Sequence, residues 1–414
     1  MSSFKGFLRD TQLEFIAIDN FDKTTYNCRA FFLSHLHWDH YQGLWEFLPM
    51  LNKSEDKFLY CSPITGHLLM KRISWLNKNK IVMLDINKSF IFKDKNVNTD
   101  VVVTYLPTGH CPGAVMILIE YDNRRILYSG DFRVYVDDLK KMKSRLSNPD
   151  GSVIDIDELY LDTTWAVPSQ FDDFPSRESS KNVITETIES WLLTTNESQQ
   201  QLKILLSIPA TFGSEYLFLS LFKKFKKPIF IHKYHYYSYI EEMVNCVVPF
   251  EEIENNQDKW IIHACLSNNL RKCPLYKCKN KKIIKPCALY FIQNSSCKFP
   301  VHELYNVPYF SLSEELKVFY SSHCSLNELR NFVKYVKPKK IIPSVEHESL
   351  NVDDMISLIN SDVLSIKYQT YVERQINSKT ENMLLTLKKR PSKRSREEKI
   401  LCRMEIRKKM NLDI

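Results

Sequence analysis

The stretch Ser34-His35-Leu36-His37-Trp38-Asp39-His40 constrains this chain most, because it places three histidines and one aspartate within six residues. It follows Arg29 to Leu33, which has the apolar composition of a short buried strand. A loop at a strand end is a place where rigid neighbours can hold metal ligands. Imidazole and carboxylate bind zinc and similar divalent ions. The stretch therefore predicts a metal site, in which the first two histidines face one ion and the last aspartate and histidine face a second.

Polar groups at later strand ends extend this pattern. His110 lies in a loop of two glycines and two prolines after one strand, Asp131 follows the next hairpin, and His323 follows a strand far along the chain. Asp162 ends a further strand and is either a helix cap or a site residue. Recurrent strand-end ligands predict one convergent site. His323 joins that site if the segment before it is an insertion into the first domain.

A two-metal arrangement accounts for these side chains. The predicted ligands are His35, His37 and His110 for one ion, Asp39, His40 and His323 for the other, and Asp131 as a bridge. A carboxylate can bridge because it has two oxygens. Two divalent ions can clamp the attacking and leaving oxygens of a displacement at phosphorus. The ions are predicted as Zn²⁺, with Mg²⁺ or Mn²⁺ as alternatives, and the catalytic residues as Asp39, Asp131, Asp162 and His323.

Two carboxylates fit positions outside the ligand shell. Asp19 ends an early apolar strand, and Asp162 ends a later one. Carboxylates in such positions orient metal-bound histidines. No Ser-His-Asp or Cys-His arrangement is needed for hydrolysis, because a bound ion supplies hydroxide near neutral pH.

The length and composition favour two α/β domains without a membrane segment. The chain has 414 residues and no apolar run long enough for a transmembrane helix. The N-terminus lacks the pattern of a secretory signal. Eleven cysteines without such a signal favour reduced thiols, some of them on metal. From about residue 165, helical stretches alternate with short strands, including a predicted strand at Ala288 to Gln293.

The net charge of +8 is concentrated at the C-terminus. From Lys388 onwards, eleven Lys and Arg residues face four Asp and Glu residues, so this tail carries +7. Residues 375–414 are predicted to be a basic, disordered tail. This tail would contact nucleic acid, or a receptor that recognises basic clusters. In the second case Lys388 to Arg396 would be a nuclear-import signal. The alternative is a tail that only increases solubility.

The motifs resemble the metallo-β-lactamase fold, and more narrowly the β-CASP DNA nucleases of the Artemis type. The first histidine stretch matches the HxHxDH signature of that fold. The narrower resemblance rests on Phe32-Leu33-Ser34-His35, Leu59-Tyr60-Cys61-Ser62-Pro63, Gly109-His110-Cys111-Pro112-Gly113, Gly130-Asp131-Phe132-Arg133, Tyr160-Leu161-Asp162-Thr163-Thr164 and Pro175-Ser176-Arg177-Glu178. It covers residues 1 to about 365.

The resemblance implies a four-layer αββα sandwich, residues 1–164 and 313–374, split by a β-CASP α/β domain, residues 165–312. It implies a nuclear, monomeric metal-dependent DNA nuclease, with 5′-3′ exonuclease or structure-selective endonuclease action. The substrates would be damaged or broken DNA ends and single-strand/duplex junctions, in interstrand cross-link repair and non-homologous end joining, with DNA-repair proteins as partners. The alternatives are an RNA endonuclease of the β-CASP superfamily and a non-catalytic scaffold that binds DNA ends.

Three details of the resemblance bear on substrate and metal. RNA-processing β-CASP enzymes carry a late histidine where Val345 aligns here, although His347 lies two residues away. The Artemis branch also implies a structural zinc in the β-CASP domain. Its ligands here are His232, His263, Cys265 and Cys278, with Cys273 as a competitor for the last place. Relatives carry lysines where Trp38, Pro209 and Gln293 stand in this chain.

Overall fold

The computed structural model describes residues 4–361, except residues 9–10, 93–99, 136–137, 139–145, 147–151, 168, 170, 196–200, 233–236, 238–239, 295–296 and 349. The predicted basic tail, with the cluster Lys388 to Arg396, lies outside the described residues. No helix among the described residues is long and apolar enough to cross a membrane.

The strands fall into two sheets of a sandwich and a third sheet that follows them. The sandwich strands are β1 (Ile16–Ile18), β2 (Ala30–Phe32), β3 (Phe58–Cys61), β4 (Ile81–Met83), β5 (Ser89–Phe92), β6 (Val101–Pro107), β7 (Val115–Tyr121), β8 (Arg124–Tyr128) and β9 (Glu158–Leu161). The third sheet contains β10 (Leu202–Ile208), β11 (Ile229–Ile231), β12 (Val247–Pro249), β13 (Trp260–Leu266), β14 (Lys281–Pro286), β15 (Val301–His302), β16 (Val307–Ser311) and β17 (Glu315–Val318). The chain then returns to the sandwich with β18 (Lys340–Pro343).

The α-helices of the described residues lie between and after these strands. They are α1 (Trp38–Tyr41), α2 (Leu44–Lys53), α3 (Pro63–Arg72), α4 (Arg177–Thr194), α5 (Glu215–Phe225), α6 (Leu289–Gln293), α7 (Leu326–Val336) and α8 (Val352–Asn360). Sequence signals set their ends: Pro63 occupies the first turn of α3, where its missing N–H is not needed. Ser325 and Glu328 form a reciprocal capping box at the start of α7.

The first two sheets face each other and form the centre of the sandwich. One has the all-parallel order β1-β2-β3-β4, and the other has the mixed order β18-β9-β8-β7-β6-β5. Alternate residues of β7 point to opposite sides: Ile117 and Ile119 pack with Phe32 of the facing sheet, whereas Met116 and Leu118 pack away from it. The interior between the sheets is therefore apolar throughout.

Helices cover the two outer faces of this sandwich. Leu44, Phe47, Leu48 and Leu51 of α2 recur at helical spacing and pack on the parallel sheet with the α3 leucines. The apolar stripe of α7 packs with α8 on the mixed sheet. The predicted αββα architecture with an inserted α/β unit is confirmed.

The inserted unit, residues 177–318 from α4 to β17, is called the insert below. Its sheet has the order β12-β11-β13-β10-β14-β17-β16-β15, in which the first six strands are parallel and the last two pair antiparallel. Strand β17 pairs with β14 at Ile284 and Leu316. The chain therefore leaves this sheet after Val318, past the boundary at residue 313 predicted from the sequence.

One predicted strand of the insert is a helix. Ala288 to Gln293 was expected to be extended, but Leu289–Gln293 forms α6. In the helix, Phe291 is buried against Phe299 and Phe319, while Leu289 is exposed. The place beside β14 is taken by β17, so a strand here would have had no open edge to join. Tertiary packing overrides the local apolar run.

Candidate metal centre

The ends of several strands and of the segment after β17 bring seven side chains together at one edge of the sandwich. His35 and His37 follow β2, His110 follows β6, and Asp131 follows β8. One ligand atom from each of these four lies within 4.8 Å of the others. A second group of the same kind combines Asp131 with Asp162, from the end of β9, and His323. We call these residues together with His40 the strand-end cluster.

The loop around His110 requires glycine on both sides. Gly109 has φ +67° and Gly113 has φ +79°, and both values disfavour residues with a side chain. A Cβ at Gly109 would lie 2.8 Å from the Arg133 carbonyl oxygen. A Cβ at Gly113 would lie 2.8 Å from the Thr65 hydroxyl. This backbone fixes His110 beside the end of the neighbouring strand.

The histidines of the first group donate one N–H each to an acceptor outside the centre. The His110 Nδ1–H donates to the Ser322 carbonyl at 3.0 Å, and the His37 Nε2–H donates to the Phe212 carbonyl at 3.2 Å. The His35 Nδ1–H donates to the Ser34 hydroxyl oxygen at 3.0 Å. Such outer partners fix the tautomer of a metal-binding histidine. The opposite ring nitrogens are therefore unprotonated when the rings are neutral.

These unprotonated nitrogens face one another. His35 Nε2 lies 3.1 Å from His37 Nδ1, and His110 Nε2 lies 2.9 Å from the same atom. Two lone pairs at this distance repel each other, because no proton lies between them. The Asp131 carboxylate is close by, 3.6 Å from His35 and 3.5 Å from His110. A cation at the meeting point would convert this repulsion into coordination, so the residues present fit a divalent metal ion.

His40 and Asp19 form the other side of the centre. The Asp19 carboxylate accepts hydrogen bonds from the Ser34 backbone N–H, the His40 Nδ1–H and the Tyr128 hydroxyl at 2.7, 2.7 and 2.9 Å. His40 Nε2 then points to Asp131, 3.2 Å from Oδ1, but no hydrogen bond satisfies this buried nitrogen. A buried imidazole nitrogen without a partner beside a carboxylate oxygen is a position for a second cation. Asp19 thus holds the ring of His40 by its Nδ1–H.

Asp162 has the corresponding place for His323. Its carboxylate accepts the His323 Nδ1–H at 2.8 Å, which leaves Nε2 directed to Asp131 at 3.9 Å. Asp162 also accepts the Phe132 and Thr164 backbone N–H groups. Asp39 is half-buried in the cleft wall but belongs to neither group of converging ligand atoms.

The pKa values of the first three histidines favour neutral rings. Burial, and then the neighbouring His40 and His37, lower the pKa of His35 well below its usual value. Burial also lowers the pKa of His110 well below its usual range, and that of His37 below it. Metal ions bind neutral imidazole, so this side of the centre is prepared for a cation without loss of a proton.

The pKa values around Asp131 shift in the opposite direction. Burial opposes a charge on His40, but Asp131 and Asp19 raise its pKa well above the usual value. Burial also opposes a charge on His323, but Asp162 and Asp131 raise its pKa to about 9. Burial would raise the pKa of Asp131, but His40 and His323 lower it well below the usual value. The carboxylates on this side of the centre therefore favour a positive charge, which a second cation would supply.

The strand-end cluster lies in a cleft of about 360 Å³ between the sandwich and the insert. The sandwich contributes Trp38, Asp39 and Thr164, and the insert contributes the segment from Pro209 to Ser214 together with Pro286. Val345 lines the cleft, whereas His347 is occupied by a hydrogen bond from its Nε2–H to the Thr163 carbonyl at 2.8 Å. Valine, and not the nearby histidine, therefore lines the cleft at this position.

A second set of ligand-type side chains lies in the insert. His232, His263, Cys265 and Cys273 have ligand atoms within 4.8 Å of one another, and we call them the insert cluster. His263 and Cys265 are two residues apart on β13 and so point to the same face. The His263 Nδ1–H donates to the Phe230 carbonyl at 2.9 Å, which leaves a buried Nε2 without a hydrogen bond.

The thiols of the insert cluster are close enough to share a proton. The neighbouring Cys265 thiol lowers the pKa of Cys273 to about 4 against the effect of burial, and His263 adds to this lowering. The same contact raises the pKa of Cys265. Two thiol groups and a buried imidazole nitrogen without a hydrogen bond are a donor set that suits Zn²⁺. The residues present therefore fit a second metal ion.

Cys278, the predicted last member, is not in the insert cluster. The 3₁₀ turn Leu270–Lys272 precedes Cys273, and a second 3₁₀ turn, Pro274–Lys277, separates Cys273 from Cys278. The first turn brings Cys273 back over β13, where it is buried, whereas Cys278 comes after the second turn and is half-buried. The competitor named from the sequence therefore takes the place assigned to Cys278.

Sequence reasoning missed the groups that hold the histidines from outside. Ser34 and Tyr128 complete the Asp19 network, and the carbonyls of Phe212 and Ser322 accept histidine N–H groups. A backbone carbonyl has no signature in the sequence, so two of these partners could not be found from residue types. Ser34 directly precedes His35 and was the one detectable signal.

Two family models match this chain. A Beta-lactamase superfamily domain matches residues 19–169, which contain most of the strand-end cluster. A DNA repair metallo-beta-lactamase family matches residues 251–349, which contain His263, Cys265, Cys273 and His323. Each match thus includes residues whose side chains converge in the structure.

Curated relatives match over most of this chain. Protein artemis of Mus musculus is 30% identical over 382 residues, which cover 87% of this chain and 50% of the mouse protein. Protein artemis of Homo sapiens is 29% identical over 379 residues, which cover 87% of this chain and 51% of the human protein. The 5' exonuclease Apollo of Rattus norvegicus is 28% identical over 321 residues, covering 77% and 51%. This chain spans about half the length of these relatives.

The family assignment rests on three agreeing findings. The fold is the αββα sandwich with an insert, the motif residues converge on one centre, and both family models match. The relatives are similar across the sandwich and the insert rather than in one of them. The chain therefore has the metallo-β-lactamase fold, matches the Beta-lactamase superfamily domain and the DNA repair metallo-beta-lactamase family over the stated residues, and is similar to Artemis and Apollo over most of its length.

Proposed function

We propose that this protein is a metal-dependent nuclease that hydrolyses phosphodiester bonds in DNA. The observation that carries the proposal is the convergence of histidine nitrogens and the Asp131 carboxylate in a cleft between two domains. The relative named 5' exonuclease Apollo supports the class of reaction. A bound divalent ion in such a site supplies hydroxide and stabilises charge at phosphorus.

The chain's own residues have distinct tasks in this proposal. His35, His37, His110 and Asp131 would hold one ion. Asp131 with His40 and His323, and Asp39 from the cleft wall, would hold a second. Asp19 and Asp162 keep the rings of His40 and His323 turned inwards. Because Asp162 occupies the other ring nitrogen, His323 Nε2 is the atom that would face the second ion.

The substrate class follows from the cleft. Residues of the sandwich and of the insert line the cleft of about 360 Å³ at the metal centre, and we infer that it takes the end of a nucleic-acid strand. Val345 at the cleft wall favours DNA over RNA in this superfamily. We infer action at broken or damaged ends and single-strand/duplex junctions, in cross-link repair and non-homologous end joining, in the nucleus with other repair proteins.

The insert cluster has a structural task in this proposal. His232, His263, Cys265 and Cys273 hold a zinc ion that fixes β13 and the turn after it. The sandwich, residues 1–164 and the chain from about 319, and the insert between them act as two domains around one cleft. The ion in the insert stabilises one wall of that cleft.

The decisive experiment is product analysis on labelled substrates. The protein is incubated with 5′-phosphorylated single-stranded, duplex and hairpin DNA and with matched RNA, each with Zn²⁺, Mg²⁺ or Mn²⁺. We expect cleavage of DNA that requires a divalent ion, and a product ladder from the 5′ end if the action is exonucleolytic. A clear preference for RNA, or metal-independent binding of DNA without cleavage, would overturn the proposal.

A further inference from the structure

The aromatic side chain of Trp38 is exposed beside the metal centre. It stands between His37 and Asp39 in the sequence, lines the same cleft as these residues, and is 55% exposed. The other large aromatic residues in the wall of this cleft, Phe212 and Tyr320, are buried. An indole kept in water next to a polar centre is a ready surface for a flat apolar partner.

The Trp38 ring is supported rather than free. Trp38 is the first residue of α1, in which the His40 and Tyr41 N–H groups donate to the His37 carbonyl at 3.1 and 3.2 Å. Its ring lies edge-to-face with Tyr41 at 5.4 Å between centroids. The Arg72 guanidinium covers the Tyr41 ring at 4.9 Å. A supported ring loses little conformational entropy when a ligand stacks on it.

We propose that Trp38 is the platform of a nucleobase-stacking subsite for an unpaired nucleotide next to the phosphate at the metal centre. This inference rests on the proposed nuclease function. It adds a physical basis for the selection of unpaired nucleotides. Any base can stack on an indole, so the subsite would be tolerant of sequence. Only a base without a stacked neighbour can offer its face, so the subsite would favour single-stranded or frayed ends over closed duplex.

Three tryptophan variants test this proposal on 5′-phosphorylated single-stranded DNA. We expect Trp38→Ala to lower kcat/KM about 5- to 100-fold, because base stacking on an aromatic ring contributes on that scale. Trp38→Phe should retain activity within about 3-fold, since a phenyl ring still stacks. Trp75→Ala is the matched control, because Trp75 is 52% exposed but does not line the cleft.

Substrates with a single abasic residue locate the stacked base. The abasic residue is moved one position at a time along the strand. At one position it should slow the wild-type protein as much as Trp38→Ala does, and should not slow the variant further. Equal rates for wild type and Trp38→Ala, or additive losses at every position, would overturn the subsite.

Binding separates failure of the subsite from failure of the nuclease function. An oligonucleotide with phosphorothioate linkages is titrated while tryptophan fluorescence is recorded. Quenching that is present in wild type and Trp75→Ala but lost in Trp38→Phe supports stacking even if no DNA is cut, in which case the nuclease function alone fails. Cleavage by wild type without any Trp38-dependent quenching overturns the subsite alone.

Discussion

The strand-end cluster and the insert cluster use the same side-chain chemistry in two different ways. The strand-end cluster gathers residues from His35 to His323, at the ends of strands and segments far apart in the chain. The insert cluster takes all four residues from one sheet and the turn after β13. Distant ligands make the first centre depend on the whole fold, whereas the second depends on one local unit.

The donor atoms of the two clusters also differ. The strand-end cluster combines imidazole with carboxylate oxygen and lines an open cleft of about 360 Å³. The insert cluster combines imidazole with two thiols, and three of its four residues are buried. Four protein donors around zinc are typical of structural sites, and carboxylate-containing sites with open positions are typical of catalysis. The comparison therefore supports the proposal that the strand-end cluster carries the reaction and that the insert cluster stabilises the fold.

The largest effect is expected from Asp131→Asn. Asp131 lies within 3.9 Å of four histidines, so its charge is shared by both sides of the centre. Its loss should lower kcat for DNA cleavage by roughly 10³-fold or more, since metal ions contribute several kcal/mol to such reactions. The insert cluster should keep its zinc, as measured by metal analysis.

Asp353→Asn is the control for this experiment. Asp353 is exposed in the first turn of α8, away from both clusters. It should leave activity and metal content unchanged. Asp131→Asn with more than a tenth of wild-type activity would break the comparison, because catalysis would then not depend on the strand-end cluster.

The next largest effect is expected from Cys273→Ser. Loss of a thiolate should remove about one zinc ion per chain and lower the free energy of unfolding by about 4 kcal/mol, since loss of a structural metal belongs to the most damaging class of changes. Cleavage per folded molecule should stay within a few fold of wild type. Metal analysis, denaturant unfolding and activity are measured together.

Cys278→Ser is the matched variant, because Cys278 is a half-buried cysteine five residues later. It should alter neither zinc content nor stability. The opposite result, zinc loss in Cys278→Ser and zinc retained in Cys273→Ser, would restore the ligand set expected from the sequence. Loss of DNA cleavage per folded molecule in Cys273→Ser would instead show that the two clusters share one task.

The strand-end cluster was largely predictable because its ligands sit in motifs with fixed backbone. His110 is bracketed by two glycines with positive φ, and His35 to His40 follow a buried strand. Such positions allow few residue types, so the motif predicts where its side chains lie. The αββα layers were implied by the resemblance of these motifs to the metallo-β-lactamase fold, not by the strand pattern alone.

The remaining features depend on contacts between distant segments. The choice of Cys273 over Cys278 is made by the 3₁₀ turns after β13, and both cysteines have similar local sequence. The helix at Leu289–Gln293 forms because β17 takes the neighbouring strand position. The pairing of β17 with β14 moves the end of the insert past residue 313. Local sequence patterns do not show which of two distant segments occupies a given position in the fold.

A third buried group sharpens the comparison, because it is titratable but belongs to neither cluster. Glu215, in the first turn of α5, is 7% exposed, and its Oε2 accepts the N–H of Gly213 in the cleft wall at 2.7 Å. Its Oε1 is buried without a hydrogen bond. Burial raises the pKa of Glu215 from 4.5 to about 7. In the two clusters, by contrast, the buried polar side chains converge on positions where a cation could bind.

Glu215→Gln should therefore change the pH dependence of stability. The unfolded chain loses the Glu215 proton above about pH 4.5, whereas the folded chain keeps it up to about pH 7. The stability that the protonated Glu215 contributes is thus complete below its pKa in the unfolded chain. It is lost as the pH rises through its pKa in the folded chain. Between these values wild type should lose about 3 kcal/mol more of its free energy of unfolding than Glu215→Gln. Denaturant unfolding at pH 5 and pH 8 measures this difference. Parallel pH profiles for both proteins would show that Glu215 is ionised in the folded chain, with its charge facing Arg177.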